Sequence, residues 1–171
     1  MHSLARVQCG LLAAGPLRPN VMRVDDELLT IERVAVLHGV GLFRAVPGHE
    51  LVPVARLMEE VRVVAGATFI ERGAMEDWLF VIAAGAVRVH VGNRLLSEKG
   101  PGGVVGELAV VAPAPRAASV TATEPTLLLQ LRRKPFEELL EDRPEISRAI
   151  ISTLAHMLQT GPDGATAADE Q

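Results

Sequence analysis

The pattern of apolar and polar positions changes character twice along the chain. Leu28, Ile31, Val34 and Ala35 recur at helical spacing, and Leu29 and Leu37 widen that stripe. Asp25, Asp26 and Glu27 ahead of it suit the positive end of a helix dipole, and Gly39 and Gly41 end it. A second helix is predicted between about Pro47 and Met58, with Pro53 in its first turn. The period then shortens to two. Val61-Arg62-Val63 alternates, Thr68-Phe69-Ile70 is a short strand, and Trp78 to Ala83 reads as a buried strand. Val87, Val89 and Val91 alternate with Arg88, His90 and Gly92, giving one apolar and one polar face. Gly85 and Gly92-Asn93 mark turns, and Leu95-Leu96 begins another strand. Val120-Thr121-Ala122-Thr123 and then Leu127, Leu129 and Leu131 complete the set. Short strands at near-regular spacing with glycine turns predict a barrel or sandwich.

The last third returns to a helical period. Pro135 suits a helix's first turn, Phe136, Leu139 and Leu140 follow, and Arg143-Pro144 interrupts. Ile146, Ile150, Leu154 and Leu158 then recur every four residues until Gly161-Pro162. The expected organisation is a disordered leader over residues 1–22, an N-terminal helix over 23–41, one domain over 42–160 and a disordered polar tail over 161–171.

Composition narrows the class. A chain of 171 residues holds one sizeable core. With 49% hydrophobic but only 3% aromatic residues, that core must be Val, Leu, Ile and Ala. A net charge of -4 argues against wholesale capture of nucleic acid. The single cysteine, Cys9, excludes an internal disulfide framework and suits a reducing, cytoplasmic setting. No apolar run reaches the roughly 18 residues of a membrane span. Leu4 to Gly15 has a faint signal-peptide character, but Arg6 and Gln8 interrupt it, so it is read as a leader.

The chemistry concentrates in Gly106-Glu107-Leu108-Ala109 and, nine positions after the glutamate, Arg116-Ala117-Ala118. Gly106 permits close backbone approach, and the residues after it open one helical turn whose N–H groups point outward as an anion site. Arg116 supplies a planar fork for phosphate, and Glu107 an acceptor for hydroxyls. Pro113 and Pro115 stiffen the approach. Together they suggest a nucleotide-sized ligand.

The run Val105 to Ala109 with Pro115 to Val120 resembles the phosphate-binding cassette of cyclic nucleotide-binding domains. Leu42-Phe43, Gly73, Asp77 to Ile82, Gly85 to Val89, Pro101-Gly102 and Phe136 to Leu140 fall in the same family order, over about residues 42–158. The resemblance implies a mainly β fold: an eight-stranded jelly-roll barrel with N-terminal helices and a C-terminal helical lid. It assigns Glu107 to the ribose 2′-hydroxyl and Arg116 to the cyclic phosphate. Amides near Leu108, Ala109, Ala117 and Ala118 would complete the cradle. Ala117, where the family often has Thr or Ser for cGMP, leans toward cAMP, with cGMP second; no cofactor is implied. The implied role is a non-catalytic sensor acting on an effector domain or protein partner through its helices, with a homodimer as a further expectation. Thirteen residues after Leu158 are too few for a DNA-binding helix-turn-helix, so no nucleic-acid contact is expected on this chain.

The chain departs from the family pattern at Ala74 and Glu76, where Asp and Gly are usual, and at Gly103 and Val105. These changes are expected to alter loop geometry more than the phosphate site. Between Ala149 and Gln159 the only ring is His156, so a base lid there would be aliphatic or polar. The alternative reading is a vestigial barrel in which Glu107 and Arg116 form a structural ion pair and the domain serves as an interaction module. His90 is expected at the surface, without the clustered His and Glu ligands of a cupin. Glu59-Glu60 and Glu137-Glu138 read as solvated helix faces, and Arg132-Arg133-Lys134 as a surface basic run.

Overall fold

A computed structural model describes residues 20–23 and 28–159. The first elements are β1 (Val21–Arg23), α1 (Thr30–His38), a 3-10 turn (Gly41–Phe43) and α2 (Gly48–Leu57). The strands β2 (Glu59–Val63), β3 (Thr68–Ile70), β4 (Trp78–Ala84), β5 (Val87–Val91), β6 (Arg94–Lys99) and β7 (Val104–Val105) follow. Then come α3 (Glu107–Val111), β8 (Ser119–Ala122), β9 (Thr126–Arg132), α4 (Arg133–Asp142) and α5 (Pro144–Gln159). Two antiparallel sheets, in the orders β1-β2-β9-β4-β7 and β3-β8-β5-β6, form the expected jelly-roll, with the helices outside it.

The alternation along β4 explains why it reads as continuously apolar. Leu79 and Val81 face a helical layer built on Phe43, Leu51, Phe136 and Ile146. Phe80 and Ile82 face the barrel interior with Val61, Phe69, Val87 and Leu128. A strand covered on both faces loses its polar side. Two edge-to-face ring pairs, Phe69 with Phe80 and Phe43 with Phe136, seat one core each.

Four expectations need correction. Val21–Arg23, expected as the end of the leader (to residue 22) and the first residue of the N-terminal helix segment (from 23), is an edge strand on β2, because Val21 is buried in the barrel core and Arg23 Nε meets Glu59 Oε2 at 3.0 Å. The first helix starts at Thr30, where the Glu32 carboxylate accepts the Leu29 N–H at 2.7 Å; Asp25 to Glu27 lie outside the described residues, as do residues 1–19 and 160–171. Pro53 sits inside α2 rather than in its first turn, and the burial of Leu51, Val54 and Ala55 outweighs its missing N–H. Glu60 is no solvated helix residue. It lies in β2 with a fully buried side chain, accepting from Arg33 Nη2 at 3.0 Å and the Leu28 N–H at 2.8 Å. Arg33 also donates to the Met58 carbonyl, so this pair ties α1 to the barrel.

Gly85 turns β4 into β5 with φ +91, and a Cβ there would stand 2.7 Å from the Pro125 carbonyl oxygen and from the Thr126 Cα. Both obstacles are backbone and cannot rotate away. Gly85→Ala is therefore expected to destabilise the domain by about 2–3 kcal/mol, from left-handed strain plus overpacking, read as a lower urea midpoint at unchanged slope.

Candidate functional site

The site begins where β7 ends. Gly106, with φ +80, turns the chain into α3, a single short helix of five residues. The chain then returns through Pro115 to Arg116. That return is pinned to the loop before β4: Met75 bridges Pro115, Gly73 N–H donates to the Arg116 carbonyl at 2.8 Å, and Arg116 N–H donates to the Ala74 carbonyl at 2.9 Å. The arginine backbone is thus fixed by barrel elements before its side chain makes any contact.

The Arg116 side chain is 5% exposed, and all three of its nitrogens are engaged. Nε donates to Glu76 Oε2 at 3.1 Å, Nη1 to the Gly106 carbonyl at 3.2 Å, and Nη2 to the Trp78 carbonyl. The guanidinium lies so close to Gly106 that a Cβ there would collide with it. Glycine at 106 is therefore required both by φ and by the arginine. The next link leads to the helices, since the Asp77 carbonyl accepts the first amide of α4, Arg133 N–H, at 2.7 Å.

A cavity of about 360 Å³ opens beside this turn. Of the sequence-predicted site residues, Gly106, Glu107, Ala109, Arg116, Ala117 and Ala118 line it together. Leu108 contributes backbone to α3. Val89, Leu96, Ser97, Lys99 and Val104 also line the cavity. Glu107 is exposed on α3, so the acid on Arg116 is Glu76 rather than Glu107. This removes the Glu107–Arg116 ion pair from the alternative, vestigial-barrel reading, and it corrects the expectation that the change at position 76 concerns loop shape more than the phosphate site. The Ala109 N–H, expected to face an anion, donates to the Gly106 carbonyl at 3.1 Å and closes the first turn of α3.

Lys99 was not singled out by sequence. Its ammonium donates to the Val104 carbonyl at 2.8 Å and adds a second cation to the cavity wall. The available signal was a lysine ending a strand just before the glycine-rich turn. His90 is held by the Gly92 carbonyl and by Thr121 Oγ1, at 2.8 and 2.9 Å. Among the described residues no cluster of three His, Cys, Asp or Glu could hold a metal, and no helix is long and apolar enough to cross a membrane. α5 packs on the Gly41–Phe43 turn, and none of its described residues lines the cavity.

Residues 60–143 match the family described as the cyclic nucleotide-binding domain. The Pycsar effector protein XpPycTIR of Xanthomonas perforans is 40% identical over 109 residues, covering 63% of this chain and 35% of that protein. The chain spans between a quarter and six-tenths of the length of the curated relatives it matches. Among solved structures, the N-terminal domain of a transcriptional regulator from Streptomyces coelicolor A3(2) superposes with a TM-score of 0.70 at 29% identity, over 78% of this chain and 96% of that one. The regulatory domain of Toxoplasma gondii PKA, crystallised with cAMP, superposes with a TM-score of 0.62 at 28% identity, over 70% of this chain and 47% of that one. Strand order, the α3 turn, the returning arginine and these matches converge: this chain carries a domain of the cyclic nucleotide-binding family.

Proposed function

We propose that the domain binds a cyclic nucleotide, cAMP in preference to cGMP, as a non-catalytic regulatory sensor. One observation carries this reading: Glu107 and Arg116 line the same cavity, one at each end of the segment that opens with α3. Its volume of about 360 Å³ lies in the range of small-ligand pockets. Arg116 would pair with the cyclic phosphate and Glu107 would accept the ribose 2′-hydroxyl. The α3 amides ahead of Ala109 and those of Ala117 and Ala118 would add neutral donors, and Val89 and Leu96 would face the base. A cAMP-bound neighbour of similar fold and the alanine at position 117 support the adenine nucleotide.

The output would travel through the helices. Glu76, Asp77 and Trp78 are consecutive, and they hold Arg116 on one side and the first amide of α4 on the other. A ligand that binds one arrangement of this segment more tightly shifts its population and with it the position of α4 and α5. A separate effector domain or partner protein would read that shift, in a soluble cytoplasmic setting.

The second reading, an interaction module that binds no nucleotide, is favoured by the existing Arg116–Glu76 pair. Titration calorimetry with cAMP and cGMP separates the two. We expect cAMP to bind in the micromolar range or tighter, about -8 kcal/mol or more favourable, and cGMP more weakly. No heat from either nucleotide, in protein whose unfolding is cooperative, would sink the sensor reading.

A further inference from the structure

We infer that Glu76 is a resident competitor for the anion site: its carboxylate occupies one edge of Arg116 and sets how tightly a phosphate group binds there. The inference rests on the cyclic-nucleotide reading for the identity of the ligand, but its geometry belongs to the chain itself. Glu76 Oε2 lies 3.1 Å from Arg116 Nε, and the two side chains are 10% and 5% exposed. A guanidinium presents its Nε edge and its terminal nitrogens as the two forks that grip an oxyanion. Glu76 already holds the Nε edge. A bound phosphate brings a second negative charge to the same buried cation, so it must share that cation or displace the carboxylate. Exposed Glu107 on the cavity wall adds a further negative charge.

A positioning role would have the opposite sign, and two neutral acceptors make it redundant. The Gly106 and Trp78 carbonyls already hold Nη1 and Nη2, and the Arg116 backbone is fixed through Gly73 and Ala74. These contacts orient the guanidinium without neutralising it. What Glu76 adds to them is charge, and charge of the same sign as the ligand.

The test is Glu76→Gln, which keeps shape and removes the charge, with Glu76→Asp, whose shorter side chain draws the carboxylate back, as a second variant. Each is titrated with cAMP by calorimetry, and separately with inorganic phosphate while following the Arg116 Nε–H resonance. We expect Glu76→Gln to tighten cAMP about tenfold and inorganic phosphate several-fold, with Glu76→Asp between it and the parent. The parent binding cAMP while Glu76→Gln binds it equally or more weakly overturns the competitor and leaves the sensor reading standing. Silence of every protein toward cyclic nucleotides overturns the sensor reading instead. The phosphate titration then decides the competitor alone: tighter phosphate in Glu76→Gln upholds it, and equal or weaker phosphate removes it.

Discussion

Arg116→Ala is expected to weaken cAMP binding by about 100-fold, a loss of about 2.8 kcal/mol. Two terms combine. A charge-assisted fork to a phosphate is worth about 1.5–3 kcal/mol. The arginine also holds the cassette together, because its side chain joins Gly106 at the start of α3 to Glu76 and Trp78 before and in β4. Truncation takes the guanidinium away from the Glu76 carboxylate and removes the side-chain tie between the start of α3 and β4. The variant is therefore expected to melt several degrees lower as well as to bind poorly, read by calorimetric titration and thermal unfolding on the same sample. Arg116→Lys should recover little of the affinity, since an ammonium is a point charge that cannot meet two carbonyls, a carboxylate and a phosphate from one plane. Undiminished affinity in Arg116→Ala would remove Arg116 from the site.

Glu60→Ala is expected to be the most damaging of these changes to stability. The Glu60 side chain is fully buried and that of Arg33 is 6% exposed. Removing one partner of a buried ion pair typically costs about 3–5 kcal/mol, because the guanidinium stays buried while the Glu60 charge beside it is lost. For a domain of this size that is a fall of about 10 °C or more in Tm. It also strips the Leu28 amide of its acceptor. Replacing both partners, Arg33→Met with Glu60→Leu, should restore most of the loss, because an apolar pair of similar volume needs no countercharge. Chemical unfolding of the single and double variants checks this. A single variant as stable as the parent would show that α1 is held by apolar packing alone.

The strands of the barrel were legible because one or both of their faces are buried. Alternation at Val87, Val89 and Val91, the run from Trp78 and the glycine turns at 85 and 92 are local signals, and β3, β4, β5 and β9 fall where they point. β1 was not legible. Three residues carry too little period to register, and the strand exists only because β2 offers an open edge and the core a place for Val21. The start of α1 was misplaced for a related reason: three acids in a row suit a helix dipole, but the helix begins where Glu32 caps it and Arg33 reaches Glu60. Glu60 itself looked solvated because a pair of glutamates gives no hint of an arginine 27 positions earlier.

At the site, residue types, spacing and the family resemblance together pointed to Gly106, Glu107, Ala109, Arg116, Ala117 and Ala118, which line one cavity, because nine positions from glutamate to arginine suffice for one turn of helix and a return. The partner of the arginine was a different matter. Glu76 lies 40 positions away on a loop that reaches Arg116 only when β4 and the cassette pack side by side. Lys99 entered the cavity in the same way, through the pairing of β6 with β5. Chain-local order determined the elements and the residues that offer chemistry, since period, turn geometry and short spacing act between near neighbours. Only the tertiary structure decided which charges meet, because a buried ion pair is set by which distant segments the packing of two sheets and a helical layer brings within 3 Å.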